Sequence, residues 1–121
     1  MTKILRNHYV LAVHDKKSSA EFYESVLGFE IYYEDEGWIF VAKDNCSIMI
    51  DECPGSIDPN KLGDHSYFGY LMVDDADSYF NQIKLFGANI IVEPENKPWG
   101  MREFGIKTPD GHRIMIGEEI K

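Results

Sequence analysis

The sequence repeats one pattern twice, and this repeat limits the folds that a chain of 121 residues can adopt. Asp15 and Gly28 bracket a helix-like segment, and Asp74 and Gly87 bracket a second segment of equal length. Asp is favoured at the N-cap of a helix, and Gly is favoured just beyond its last turn. We therefore predict one helix between each of these pairs.

Apolar residues recur at helical spacing in both segments, which predicts that each helix buries one face. These residues are Phe22, Tyr23, Val26 and Leu27 in the first segment, and Tyr79, Phe80, Ile83 and Phe86 in the second.

The repeat continues beyond the helices. Residues 44–50 and 110–116 each form a turn-like segment followed by the same Ile-Met-Ile run, which predicts a hairpin that leads into a strand. Alternating apolar patterns predict eight strands, at residues 5–13, 30–34, 38–42, 47–51, 67–73, 89–92, 102–107 and 113–117.

The predicted element order is β-α-β-β-β, twice. It indicates an α+β fold in which two βαβββ modules form a curved mixed antiparallel sheet, with the helices on its outer face. We expect a single domain over residues 1–121, because a chain of this length supports one core. Module one takes residues 1–51 and module two residues 65–121, joined by a linker at 52–64 that is rich in turn-forming residues.

The charge is strongly acidic: 21 acidic against 12 basic residues give a net charge of −9. This balance disfavours nucleic-acid binding, which depends on basic side chains, and suits a cationic ligand. We found no apolar run of the ~20 residues that a membrane span requires and no signal-peptide layout at the N-terminus. The expectation is a cytoplasmic protein that binds neither nucleic acid nor membrane.

Alternation along each strand predicts which side chains face the helices and which face a cleft. In both Ile-Met-Ile strands the isoleucines should lie under the helices, so that Met49, Asp51 and Met115 face the cleft. His8 takes the cleft side of the first strand. In the strand that opens the second half, the cleft side is predicted to hold Phe68, Tyr70 and Met72, with Tyr67, Leu71 and Val73 opposite. Aromatic and thioether walls with few polar groups are typical of a pocket for an organic ligand.

Two groups of residues resemble the glyoxalase, bleomycin-resistance and extradiol-dioxygenase superfamily, also called the vicinal oxygen chelate superfamily. Its first-helix signature is matched by Asp15, Phe22-Tyr23 and Leu27-Gly28-Phe29, and its closing hairpin by Pro98-Trp99-Gly100-Met101-Arg102-Glu103-Phe104 followed by Thr108-Pro109-Asp110-Gly111. The resemblance covers nearly the whole chain. It implies the paired βαβββ fold and a homodimer.

Metal-dependent members of this superfamily use four ligands, one from the first and last strand of each half. By the resemblance, these positions fall at His8, at Met49 (or Asp51, if the strand is slipped by two residues), at Phe68 and at Met115. Phe has no donor atom, and the Met thioether is a poor ligand for the metals concerned. We therefore expect no metal and no cofactor.

Other roles remain open for three residues. His8 either makes structural hydrogen bonds or has a binding or proton-transfer role, in which it could form an acid–base pair with Asp51. Trp99, in a loop that enters a strand, either closes over the cleft or packs at a subunit interface, and Trp38 either packs or binds. Aromatic rings bind planar heterocycles by stacking and attract cations.

The segment 98–104 is most similar to the bleomycin-binding branch, whose acidic dimers hold a cationic drug without metal or catalysis. The resemblance thus implies metal-free capture of an aromatic or cationic compound, such as a bleomycin-like antibiotic. The alternative is a lyase, isomerase or dioxygenase with an altered metal site. Asp51 would pair with a positive group and Arg102 with a ligand oxygen or with Glu103. The predicted ligand-binding residues are His8, Trp38, Met49, Asp51, Phe68, Tyr70, Trp99, Arg102, Phe104 and Met115.

Overall fold

The structure is a computed structural model, and it describes residues 1–120. Its regular elements are β1 (Tyr9–Val13), α1 (Lys16–Ser25), β2 (Glu30–Glu34), β3 (Trp38–Lys43), β4 (Cys46–Glu52), a 3-10 segment (Pro59–His65), β5 (Tyr67–Met72), α2 (Ala76–Leu85), β6 (Asn89–Asn96), β7 (Met101–Lys107) and β8 (Arg113–Glu119). The predicted β-α-β-β-β order is confirmed in both halves.

The strands form two four-stranded mixed sheets, one in each half. The first has the order β1-β4-β3-β2 and the second the order β5-β8-β7-β6. In each sheet the first strand of the module pairs in parallel with the last, and the remaining pairs are antiparallel. The chain divides into two compact units, of which the first covers Met1–Ser56 and the second begins at Ile57. This boundary lies inside the stretch predicted as the linker.

Helix α1 starts at the residue that the sequence indicates and ends at Ser25, two residues before the predicted end at Leu27. The Asp15 side chain accepts a hydrogen bond from the backbone N–H of Lys17 at 3.0 Å and caps the first turn. Gly28 follows the helix with φ of 83°, a left-handed conformation that favours glycine. The predicted apolar face is buried at Phe22, Tyr23 and Leu27.

Helix α2 begins one residue later than predicted. Asp75, rather than Asp74, is the N-cap, and its carboxylate accepts from the backbone N–H of Ser78 at 3.0 Å. The predicted face is buried at Phe80 and Ile83, but Phe86 is 55% exposed because the helix ends at Leu85.

The predicted alternation in the two Ile-Met-Ile strands is confirmed. Ile48 and Ile50 are buried on the side of the first sheet where α1 packs, and Ile114 and Ile116 are buried where α2 packs on the second. The two intervening methionines are only partly buried. Each sheet therefore has one face covered by its own helix and one face, here called the open face, that its helix leaves uncovered.

Two strands differ from their predicted bounds by four residues, whereas the others differ by at most two. Strand β1 begins at Tyr9 rather than Leu5, so His8 lies just before it. Strand β6 runs on to Asn96 and includes Pro94. Pro94 is compatible with this strand because β6 is the outermost strand of its sheet, where a missing N–H donor breaks no inner ladder.

No helix among residues 1–120 combines the length and apolarity that a membrane crossing requires.

Candidate ligand-binding faces

The open face of the first sheet carries aromatic side chains on neighbouring strands. Trp38 pairs with Asp51, and Phe40 pairs with Met49, so these four residues share one face. All four are intermediate in burial. This arrangement brings together three of the predicted site residues, Trp38, Met49 and Asp51.

Phe40 is the centre of an aromatic cluster on this face. Its ring centroid lies 4.7 Å from that of Tyr33, 5.8 Å from that of Tyr32 and 5.9 Å from that of Trp38. A register shift between Ile31 and Tyr33 allows both tyrosine rings to approach Phe40. Sequence reasoning missed these three residues, although Phe40 has the same parity as Trp38 in β3 and could have been found that way.

His8 and Asp51 do not form the acid–base pair considered from the sequence. His8 Nδ1 lies 2.9 Å from the Ser47 hydroxyl oxygen, which is also 2.7 Å from the Tyr32 hydroxyl. Asp51 is four residues further along β4 than Ser47, a distance of roughly 13 Å at the usual rise of a strand. Parity places both residues on one side of the sheet, but at different ends of it. A hydrogen bond from Cys53 to Asp51 raises the pKa of the Cys53 thiol.

The open face of the second sheet contains a buried carboxylate. Glu103 is only 7% exposed, and its Oε2 accepts hydrogen bonds from Tyr70 Oη at 2.8 Å and from Trp99 Nε1 at 3.1 Å. Burial of the phenol, together with its hydrogen bond to Glu103 and the negative charge there, raises the pKa of Tyr70 to about 12. Tyr70 and Trp99, both predicted site residues, are thus connected through a residue that the sequence analysis did not place in the site.

Two glycines leave room for side chains on this second open face. A Cβ on Gly117 would lie 2.7 Å from Tyr70 Cζ, so the tyrosine ring occupies the space that a larger residue would need. A Cβ on Gly105 would lie 2.9 Å from Met115 Sδ. The absence of side chains at these two positions lets Tyr70 and Met115 lie close against the sheet.

A tight turn presents Trp99. Lys97 donates its backbone N–H to the Met101 carbonyl at 2.7 Å, and Gly100 donates to the Lys97 carbonyl at 3.1 Å. Gly100 has φ of 85°, which the turn requires and glycine allows. Lys97 Nζ lies 5.9 Å from the centroid of the Trp99 ring and 3.2 Å from a Glu95 carboxylate oxygen.

The structure corrects the placement of Arg102 and Phe104. Arg102 Nε donates to Asp77 of α2 at 2.9 Å, and its Nη1 donates to Asn96 at the same distance. Phe104 is 0% exposed. Because side chains alternate along β7, the residues on either side of Glu103 point towards α2. Both side chains therefore stabilise the packing of the helix on the sheet and do not line the open face.

Strand β5 has a register shift between Tyr67 and Gly69 that alternation could not predict. It puts Tyr67 opposite Arg113, whose guanidinium carbon lies 5.8 Å from the tyrosine ring centroid. Because Arg113 and Met115 lie on one face of β8, Tyr67 lies on the same face of the sheet as Met115 and Tyr70. The sequence had predicted Tyr67 on the face away from Tyr70. Phe68 contacts the ring of His112 edge-on, with the centroids 5.5 Å apart.

The residues present do not fit the four-ligand metal site of metal-dependent members. Among residues 1–120, no three His, Cys, Asp or Glu side chains are grouped so that they could hold a metal ion. Of the corresponding positions, His8 and the alternative Asp51 carry good donors, Phe68 and Met115 do not, and His8 Nδ1 is within hydrogen-bonding distance of Ser47. We therefore derive no reaction step that passes through a metal.

Several known proteins are similar to this chain. A bleomycin resistance protein from Klebsiella pneumoniae is 31% identical over 114 residues, which cover 88% of this chain and 86% of that protein. The crystal structure of a bleomycin resistance determinant encoded on the transposon Tn5 aligns with a TM-score of 0.80 and 27% identity, over 94% of this chain and 97% of the other. The structure of a bleomycin-binding protein complexed with bleomycin aligns with a TM-score of 0.79 and 27% identity, over 94% and 98%.

The sequence also matches a family model, and the match extends over residues 6–116, which include both helices, strands β1 to β7 and the start of β8. The family resemblance noted in the sequence is thereby confirmed. The chain belongs to the glyoxalase/bleomycin resistance protein/dioxygenase superfamily.

Proposed function

We propose that this protein captures a bleomycin-like antibiotic, or another planar or cationic compound, by stoichiometric binding without a metal ion and without chemistry. The main observation in support of this proposal is the composition of the two open faces. Aromatic and thioether side chains occupy positions where metal-dependent relatives have ligands. Such surfaces bind flat organic molecules by stacking and burial.

The relatives support the antibiotic as the first ligand to test. One is a bleomycin resistance protein, and another has been crystallised with bleomycin bound. The net charge of −9 would assist the approach of a cation to either face. We propose that the protein acts as a homodimer, as the resemblance implies, and that it acts in the cytoplasm.

On the first open face, Trp38 and Met49 would supply contact area for a flat ligand, and Asp51 would pair with a positive group. On the second, Trp99, Tyr70 and Met115 would supply contact area. His8, just before β1 and next to Ser47, and Phe68, near the start of β5 and next to His112, would border the ligand. Phe40, Tyr32 and Tyr33 join the proposed set because they form one aromatic cluster with Trp38, centred on Phe40.

The test is calorimetric titration and thermal unfolding with metal-free bleomycin, in the presence of a chelator. We expect one drug per chain and a higher Tm, since ligand at a hundredfold excess over Kd stabilises the folded state by about 2.7 kcal/mol. Trp99→Ala should weaken binding. The control is Phe86→Ala, which removes another exposed aromatic ring from the end of α2.

Absence of any stabilisation by bleomycin or by other planar cations would overturn the capture proposal. Elemental analysis of untagged protein provides a second check. About one transition metal per chain, lost in His8→Ala, would instead favour an enzyme with an altered metal site.

A further inference from the structure

We infer that Glu103 positions Trp99 and gives its ring a preference for planar cations over uncharged rings of the same shape. This inference rests on the proposed ligand binding and specifies the ligand class for the second open face. Glu103 is a positioning residue here, because it would act through the indole and need not contact the ligand.

The first step is geometric. One carboxylate oxygen accepts hydrogen bonds from both the Trp99 indole and the Tyr70 phenol. Trp99 is 64% exposed, so few packing contacts hold its ring, and the bond to Glu103 supplies a fixed point. The Tyr70 ring in turn packs directly over Gly117, in the space that a side chain at that position would fill. The two rings are therefore fixed through one shared acceptor, which reduces the conformational entropy that a ligand would have to remove on binding.

The second step concerns charge. Glu103 is almost fully buried, and within residues 1–120 no basic side chain forms an ion pair with it. Its hydrogen-bond donors are two neutral aromatic groups. An N–H donor bonded to an anion shifts electron density into its own ring, and hydrogen bonds polarise one another modestly where water is excluded, as it is at the Glu103 carboxylate. The indole face should therefore attract a cation more strongly than it would with a neutral acceptor.

The third step concerns a cation of the protein itself, which already lies over the Trp99 ring. The Lys97 ammonium lies over the Trp99 ring at 5.9 Å while it also pairs with Glu95. The indole is thus already placed to accept a positive charge over its ring. Its large exposed fraction leaves ring surface for a second, external cation.

The orientation is tested by the indole N–H signals in a nitrogen–proton NMR spectrum. The protein has two tryptophans, so Trp38 serves as an internal reference. We expect the Trp99 signal to move towards the position of a free indole in Glu103→Leu and to move less in Glu103→Gln, whose amide oxygen can still accept. The control is Glu93→Leu, at an exposed position of β6. An unchanged Trp99 signal in Glu103→Leu would overturn the positioning role.

The charge preference is tested with quinoline, uncharged at slightly alkaline pH, and N-methylquinolinium, its permanently charged analogue. Titrations are followed by the Trp99 signal. We expect the wild-type protein to prefer the cation by roughly two- to thirtyfold, the range that cation–π contacts span. Glu103→Gln should bring the two affinities close together, and Glu103→Leu should weaken both.

Equal preference in the wild type and in Glu103→Gln contradicts the inference, as does a Trp99 signal that neither probe moves. Bleomycin is titrated separately against the same proteins. A protein that prefers the cationic probe but does not bind bleomycin would leave the inference standing and would count against the drug as the ligand.

Discussion

Glu52, in the last position of β4, accepts a hydrogen bond at 3.0 Å from the backbone N–H of Lys16, the first residue of α1. The second module repeats the contact: Glu118 of β8 accepts from the backbone N–H of Ala76 at 2.8 Å. Both glutamates stand two residues after an Ile-Met-Ile run. The carboxylates therefore satisfy free N–H groups at the helix starts and connect the end of each sheet to its helix.

Removing either carboxylate should destabilise its module. We expect Glu52→Ala and Glu118→Ala each to lower the free energy of unfolding by about 1–2 kcal/mol, as loss of a helix-capping acceptor does. Urea unfolding followed by circular dichroism measures the change. Glu119→Ala, at an exposed neighbouring position, is the matched control. Losses no larger than that of the control would show that the two contacts contribute nothing to stability.

Gly117→Ala should displace Tyr70, because the added Cβ would overlap the phenol ring. Overpacking of this kind costs about 1–3 kcal/mol of unfolding free energy. The cost should fall in a Tyr70→Ala background, where the space is empty, and a double-mutant cycle measures the difference. Gly37→Ala is the control, since a Cβ there meets no atom within 4 Å. An equal cost with and without the Tyr70 ring would contradict the packing described.

The phenol of Tyr70 should ionise well above the pH at which an ordinary tyrosine does, and its ionisation can be followed by ultraviolet absorbance. Burial and the neighbouring carboxylate favour the neutral phenol, which raises the pKa of Tyr70 to about 12. In Glu103→Gln the negative charge is gone, so the pKa of Tyr70 should fall towards the ordinary value of 10.0. The Tyr70→Phe difference spectrum assigns the transition. A pKa for Tyr70 that is the same in both proteins would rule out the electrostatic contribution of Glu103.

His112 should make the protein less stable in acid. Burial lowers the pKa of its imidazole from 6.5, whereas the nearby Asp110 and Asp58 act in the opposite direction and weaken this effect. The unfolded chain then binds more protons than the folded one as the pH falls below 6.5, so stability is present above that pH and is lost towards the lower folded pKa.

Unfolding free energies at a series of pH values check this sign. His112→Gln should show a smaller loss of stability on acidification than the wild type, while His65→Gln, at an exposed histidine, should not. A steeper acid loss in His112→Gln than in the wild type would mean that the imidazole has the reverse effect.

Much of the architecture could be predicted because it depends on local signals. The N-cap Asp15, the glycines after both helices and the Ile-Met-Ile runs each act within a few residues, and the structure has all of them where they were expected. The alternation in β4 and β8 was unambiguous because the isoleucines are fully buried there, whereas the methionines between them are not.

The site was harder to predict because its decisive features are not local. In β7 four consecutive residues from Glu103 are buried, so the apolar pattern does not show which face of the sheet each residue lies on. The contact of Arg102 with Asp77 depends on the position of helix α2, because the two residues are 25 apart in sequence. The shift at Tyr67 is a feature of strand pairing. The separation of His8 from Asp51 depends on position along the strand, which parity does not describe.

Pro94 has a consequence for how much of this protein a cell can hold. The outermost strand of a sheet can template the addition of further chains. Pro94 removes an N–H donor from this edge, and Glu93 and Glu95 on either side of it add negative charge. Under the capture function proposed above, one protein molecule is used per ligand, so the amount of ligand bound would scale with the abundance of the protein. An edge that resists self-association lets that abundance rise without polymerisation.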